Sequence, residues 1–229
     1  MQTSNPLVRS RRAAFALAAA WILLLWGLGA AAAPAQSAVK EEPGWRPLFD
    51  GKTLAGWKGT EFVGEGPVKV EDGQILLEAG TDLTGITWEG PELPTTSYEL
   101  ALQARRVKGS DFFAGVTFPV ADSFCSLILG GWGGTVVGLS SINGRDASEN
   151  ETSQSITFEN GRWYSVRIRV TPAAIEVWLD DRRIINQDLK GNKFDTRIEM
   201  EPSKPLGIAS WRTTAAIRQI RLRDNVKPL

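Results

Sequence analysis

Histidine is absent from all 229 residues, and its absence removes more chemistry than any other feature of the composition. Ser-His-Asp and Cys-His nucleophilic catalysis, His-ligated zinc and every imidazole acid or base are excluded. Proton transfer then falls to carboxylates, tyrosine or lysine. Cysteine occurs once, as Cys125 inside the apolar stretch 124–129. It can form no internal disulfide, and a small buried hydrophobe is its expected role. A basic excess is also missing, since Lys+Arg and Asp+Glu both number 26. Helix-period patterns are almost absent past residue 44 and no internal repeat is visible, which argues against βαβ units, propellers and solenoids.

The one long apolar run stands at the start. Arg9, Arg11 and Arg12 precede an apolar stretch over 13–33 that ends in Ala33-Pro34-Ala35, the layout of a signal peptide. Residues 1–35 are therefore expected to be a cleaved export signal. The same run is long enough to span a bilayer (about 20 residues), so an uncleaved N-terminal anchor is the competing reading. Either way the remainder is exported, to the periplasm, the medium or the cell surface, and it meets a membrane only if the segment stays uncleaved. Residues 36–43 read as a linker and 44–229 as one domain, because no charged or Pro/Ser-rich stretch interrupts the chain further on. Outside residues 1–35 the basic and acidic residues number 23 and 26 and are interleaved along the sequence. No basic stripe for phosphate is visible, so a nucleic-acid partner is not expected.

Short β-branched and aromatic runs separated by Gly, Pro, Asn and Asp predict an all-β fold, specifically a jelly-roll, concanavalin/laminin-G-like two-sheet antiparallel sandwich. Asp72-Gly73 between alternating runs predicts a hairpin over 68–78, and Asp180-Asp181 a second one between 175–179 and 183–188. In 98–107, Tyr98, Leu100, Leu102 and Ala104 share one face and Glu99, Ala101, Gln103 and Arg105 the other, a core face and a polar surface. Val166, Ile168 and Val170 alternate likewise with Arg167 and Arg169. Ile217 and Ile220 break the alternation in 215–223, a slip that predicts a bulge.

Seven tryptophans lie beyond residue 35. Trp57, Trp163 and Trp178 sit within or beside alternating strands and are expected to pack in the core. Trp132, inside Gly130-Gly131-Trp132-Gly133-Gly134, and Trp211, beside Arg212, are better placed to offer an indole face to a sugar ring. The loop holding Asp146, Glu149, Asn150 and Glu151 is oxygen-rich. It could hold a divalent cation such as Ca²⁺, although EF-hand spacing is lacking and a solvated loop is the plainer reading. No residue is assigned to a metal, and no cofactor is indicated beyond that.

Phe49-Asp50-Gly51-Lys52-Thr53-Leu54-Ala55-Gly56-Trp57, Val70-Glu71-Asp72-Gly73, Trp178-Leu179-Asp180-Asp181, Gly207-Ile208-Ala209 and Ile217-Arg218-Gln219-Ile220-Arg221-Leu222 together resemble one family. It is the secreted bacterial 3-keto-disaccharide hydrolase domain, also described as a 3-keto-glucoside lyase and hydratase domain. The resemblance runs over about 44–225. Ser210-Trp211-Arg212 stands where the family tends to carry a Gln-x-His-like element, and 126–132 replaces its Tyr-Glu-x-Gln-like element. What the resemblance implies is a hydrolase or lyase on 3-keto-glycosides, working by C2 proton abstraction and elimination followed by hydration. On that chemistry Glu151 or Glu149 is the expected base and Arg105 the enolate stabiliser. Trp132, Trp211, Gln103 and Arg212 are expected to bind a carbohydrate or keto-glycoside. The alternatives are a non-catalytic carbohydrate-binding or laminin-G-like adhesion module, or a purely structural surface domain.

Overall fold

The structure is a computed structural model, and it describes residues 44–224 and 226. The signal or anchor of 1–35 and the linker of 36–43 lie outside the described residues. None of the helices among the described residues is long and apolar enough to cross a membrane.

Along the chain the strands are β1 (Arg46–Pro47), β2 (Trp57–Gly59), β3 (Val68–Glu71), β4 (Gln74–Leu77), β5 (Leu83–Trp88), β6 (Tyr98–Lys108), β7 (Ala114–Val120) and β8 (Ser123–Gly131). They continue with β9 (Val136–Ser140), β10 (Gln154–Ser155), β11 (Tyr164–Val170), β12 (Ala174–Leu179), β13 (Arg182–Asp188), β14 (Gly207–Trp211) and β15 (Thr214–Asp224). A 3₁₀ helix spans Ile198–Ser203. The strands form two antiparallel sheets. The first runs β13-β12-β11-β6-β15-β4-β3 with β1 beside β15, and the second runs β10-β9-β8-β7-β14-β5-β2. The chain changes sheet between β1 and β2, β2 and β3, β4 and β5, β5 and β6, β6 and β7, β10 and β11, β13 and β14, and β14 and β15, giving the expected jelly-roll sandwich.

Local chemistry sets the strand ends. Asp72 at φ 48° and Gly73 at φ 74° close the β3–β4 hairpin, since a type I′ turn needs positive φ at both central residues. In β15, Arg218 pairs with Gln103 but Arg221 pairs with Ala101, so one residue is extra and Gln219 takes φ 55°. That is the expected bulge. It lets Ile217 and Ile220, three apart, both reach the core.

Between the sheets one apolar cluster holds Leu100 and Leu102 of β6, Val166, Ile168 and Val170 of β11, Val116 and Phe118 of β7, and Leu127 and Leu129 of β8. Cys125 lies in it, fully buried, and burial pushes its thiol pKa up to about 12. Tyr98 is buried too and donates its hydroxyl to the Pro119 carbonyl at 2.6 Å. Phe158 stands edge-on to Phe113 and Tyr164 at 5.0 and 4.9 Å.

The outer face of the first sheet departs from the expected plain polar surface. Glu99 is fully buried there, covered by Arg167, Arg169 and Arg223, which all bond to its carboxylate. Trp57 packs in the core, edge-on to Trp88 at 5.2 Å with its indole N–H donated to the Leu48 carbonyl. Trp163 and Trp178 are not between the sheets. Strand parity puts them on the outer face, since each sits next in sequence to inward-facing residues, and arginines cover them there.

Candidate functional site

The outer face of the second sheet is built to leave a hollow. On it, Ala209 of β14 pairs with Gly85 of β5 on one side and Gly115 of β7 on the other. Three small residues in one row leave the middle of the sheet without side-chain bulk. A Cβ on Gly115 would come 3.0 Å from the Phe112 ring and 3.4 Å from Met200, and one on Gly85 would meet the Phe62 ring at 3.0 Å. The missing atoms are the space in which those larger side chains seat. Phe62, Leu83, Met200 and Ala209 form a second apolar cluster here, with Phe112 and Trp211 packed against it.

Above this floor opens a cavity of about 210 Å³. That is below the ~300–1,000 Å³ of clefts that take drug-sized ligands, so it suits a single ring. Its apolar lining is Leu83, Phe112, Ile128, Met200, Trp132 and Trp211, and its polar lining is Asp111, Arg197 and Glu199.

Each of these side chains is held by identifiable chemistry. Trp132 is 45% exposed at the tip of the β8–β9 turn, itself at φ 49° with Gly130, Gly133 and Gly134 also at positive φ. Gly134 N–H bonds back to the Gly131 carbonyl at 3.1 Å. Glycines on both sides of Trp132 permit a backbone that other residues rarely adopt, and the tight turn leaves the indole outside the sheet. Asp111 fastens this turn to the β6–β7 connection, its two carboxylate oxygens accepting from Phe112 N–H at 2.8 Å and Gly133 N–H at 3.1 Å. Trp211 ends β14, and its N–H bonds to the Phe112 carbonyl at 3.0 Å.

On the opposite wall Arg197 grips Glu199 through two bonds, Nη2 to Oε1 at 2.8 Å and Nε to Oε2 at 3.3 Å. Its Nη1 donates to Asp146 at 2.5 Å. Hydrogen bonding to Arg197 is the main cause holding the Glu199 carboxyl below the ordinary carboxylate range, and the same bond raises the Arg197 guanidinium. Both are therefore charged at neutral pH. The site combines flat apolar plates, a fixed cation and a carboxylate, Asp111, that has no cationic partner among the described residues.

The expected site residues divide. Trp132 and Trp211 come together in this cavity, as a shared sugar platform requires. Arg212 stands at its edge, 5.2 Å over the Trp211 ring and bonded to Asp82 and the Thr81 carbonyl. Glu149 and Glu151 are exposed in the connection between β9 and β10 and are not part of the lining. Arg105 and Gln103 project from β6 in the other sheet, where Arg105 donates to Gln74 at 3.1 Å and Gln103 to Ser165 at 3.1 Å. In the oxygen-rich loop, Asp146 is engaged by Ser148 and Arg197, and buried Asn150 donates to the Leu139 carbonyl at 2.6 Å. No group of three or more potential metal ligands occurs among the described residues. Asp111, Arg197 and Glu199 carried no motif in the sequence. Only Pro202 and Pro205, which mark 197–205 as irregular, hinted that this segment leaves the sheets.

The fold recurs in carbohydrate-related structures. A Crh5 transglycosylase in complex with NAG superposes with a TM-score of 0.56 at 13% identity, over 81% of this chain and 85% of that one. A structure of endo-acting O-glycanases from the human gut microbiota gives 0.54 at 12%, over 80% and 96%. The carbohydrate recognition domain of Emp46p, in a point-mutant form, gives 0.50 at 15%, over 76% and 90%. At these identities the likeness is one of fold. No curated protein matches the sequence at a significant level. The family model described as the 3-keto-alpha-glucoside-1,2-lyase-like domain matches residues 44–223, and the chain, a jelly-roll sandwich with an aromatic cavity on its open face, belongs to that carbohydrate-active family.

Proposed function

We propose that the protein is an exported enzyme that cleaves 3-keto-glycosides in the cavity of the second sheet. The observation that carries this reading is the meeting of two tryptophans, a carboxylate without a cationic partner among the described residues and a fixed guanidinium around one ring-sized space. A ketone at C3 acidifies the C2–H of the sugar. Asp111, which no cation among the described residues neutralises, takes that proton, and the electron pair moves into the C2–C3 bond to leave an enolate oxygen. Arg197, always charged, stabilises that oxygen, while Glu199 fixes the guanidinium's direction. The enolate then expels the aglycone oxygen from C1; that oxygen takes the proton now on Asp111 and leaves as an alcohol, restoring the carboxylate. Water adds across the C1–C2 double bond, OH to C1 and H to C2, so the net reaction is hydrolysis. Trp132 and Trp211 hold the ring by its C–H faces.

One observation favours a second reading, a carbohydrate-binding role without turnover. Both carboxylates of the cavity already accept hydrogen bonds, Asp111 from two backbone N–H groups and Glu199 from Arg197. Incubating the full chain with a 3-keto-disaccharide and following release of the two monosaccharides separates the two. Release that Asp111→Asn lowers by ~10²-fold or more supports the enzyme. Saturable binding with no release over hours hands the site to the binding reading. A larger loss in Glu151→Gln than in Asp111→Asn moves the base to the β9–β10 loop.

A further inference from the structure

We propose that the outer face of the first sheet, around Trp163, Arg105 and Arg218, is a second ligand surface that takes a carboxylate-bearing polysaccharide. It lies on the sheet opposite the cavity and does not rest on the function proposed there.

Strand parity brings its parts together. Gln103 and Arg105 of β6 point outward, Arg218 of β15 pairs with Gln103, and Trp163 immediately precedes Tyr164, whose partner is Ala104. Trp163 is half-buried with the Arg105 guanidinium 4.6 Å and the Arg218 guanidinium 4.1 Å from its ring centroid. Arg221, next outward along β15, lies 4.8 Å over Trp45. Stacking on indoles fixes the position of cations that would otherwise swing free in solvent.

The face is unevenly compensated. Arg167, Arg169 and Arg223 share the buried Glu99, and Arg183 and Arg169 meet Glu176. Arg105, Arg218 and Arg221 have no carboxylate partner among the described residues. Arg105 and Arg218 are satisfied only by neutral amide oxygens, Gln74 Oε1 at 3.1 Å and Gln103 Oε1 at 2.8 Å. Arg105 Nε is buried with no acceptor at all. Burial first, and the adjacent Arg105 charge second, hold the Arg218 guanidinium below its ordinary value. Like charges held side by side without a counter-ion raise the energy of this patch, and a bound anion lowers it. Guanidinium forks match carboxylates in particular.

Charge complementarity sets the sign of the partner, and the neighbouring groups set its kind. Ser165, exposed, and Gln103 add hydroxyl and amide groups that exchange hydrogen bonds with sugar hydroxyls. A dense polyphosphate fits less well, because the chain carries as many acidic as basic residues and the cation cluster is small. Arg105 and Arg218, on the neighbouring strands β6 and β15, and Arg221 further along β15 are spaced to follow an extended uronate chain.

The test is retardation of the full chain in native gels containing polygalacturonate, fully methyl-esterified pectin, or double-stranded DNA. Polygalacturonate should retard the wild type and the other two should not. The double variant Arg105→Gln/Arg218→Gln should bind about tenfold more weakly, while the charge-matched pair Arg145→Gln/Lys193→Gln binds as wild type. Circular dichroism checks folding. Should the double variant unfold, Arg218→Lys keeps the charge but loses the fork and should still weaken binding several-fold. Absence of retardation, equal retardation by the esterified polymer or by DNA, or equal loss in the charge-matched pair each overturns the proposal.

Discussion

Replacing Glu99 by Gln removes one negative charge from the most enclosed ionic cluster among the described residues, and the structure sets the size of the effect. The Glu99 side chain is fully buried, with Arg169 Nε at 2.5 Å and Arg167 Nη1 at 3.3 Å from Oε1, and Arg223 on Oε2. Breaking a buried pair by neutralising one partner costs about 3–5 kcal/mol. Here Arg167 and Arg223 are 34% and 28% exposed and can turn to water, whereas Arg169 at 7% cannot. Among the described residues Arg169 then keeps only Glu176 as an acidic partner, at 3.6 Å. The lower end of the range therefore applies, about 3 kcal/mol, a large share of the ~5–15 kcal/mol that stabilises a typical domain. Urea unfolding followed by tryptophan fluorescence should show a lower midpoint with an unchanged slope. Adding Arg169→Met should recover about 1–2 kcal/mol, since the stranded charge is then gone. A loss below about 1 kcal/mol for Glu99→Gln, or no recovery in the double variant, refutes the claim that this carboxylate anchors the arginine layer.

Three further outcomes are expected. Trp132→Ala should change stability by less than about 1 kcal/mol, because the ring is 45% exposed, yet weaken glycan or keto-sugar binding by roughly 1–3 kcal/mol; a large loss of stability would put the indole's role in packing instead. The native Cys125 thiol holds its proton to about pH 12, whereas an unfolded thiol loses it near ~8.5. The native state therefore binds more protons in that window, and stability falls as pH rises from about 8.5 toward 12 while being intact below it. Urea midpoints at pH 7.5 and 10 should drop further for wild type than for Cys125→Ala, and parallel drops would contradict the burial effect. Mass measurement of exported protein should give a start near Gln36; a membrane species that retains Met1 supports the anchor.

Much of the fold was legible because strand parity is written into the sequence. Tyr98, Leu100 and Leu102, and Val166, Ile168 and Val170, announced the inner faces, Asp72-Gly73 announced its turn, and the Ile217–Ile220 slip announced the bulge. The same parity already put Trp163 beside Tyr164 and Trp178 between Val177 and Leu179, on the outer side. Their size suggested core packing, and what keeps them half or fully covered is arginine, a partner that no local pattern specifies. Trp132 was marked as a candidate sugar platform by its flanking glycines. Trp211 was marked only by its place beside Arg212. Asp111, Arg197 and Glu199 escaped notice because they meet Trp132 only through folding of the β6–β7, β8–β9 and 3₁₀ segments onto one sheet face. The loop carboxylates Glu149 and Glu151 looked concentrated in sequence, but cavity lining is decided by register across strands far apart in the chain.

The central claim, proton abstraction at C2 by Asp111, is tested most directly by hydrolysing a 3-keto-disaccharide in D₂O and reading the product by proton NMR. Elimination and rehydration should place one deuterium at C2 of the keto-sugar in every turnover, above an enzyme-free control, and Asp111→Asn should lose release and incorporation together by ~10²-fold or more. Release of monosaccharides with C2 still fully protonated, or undiminished incorporation in Asp111→Asn, would contradict the account.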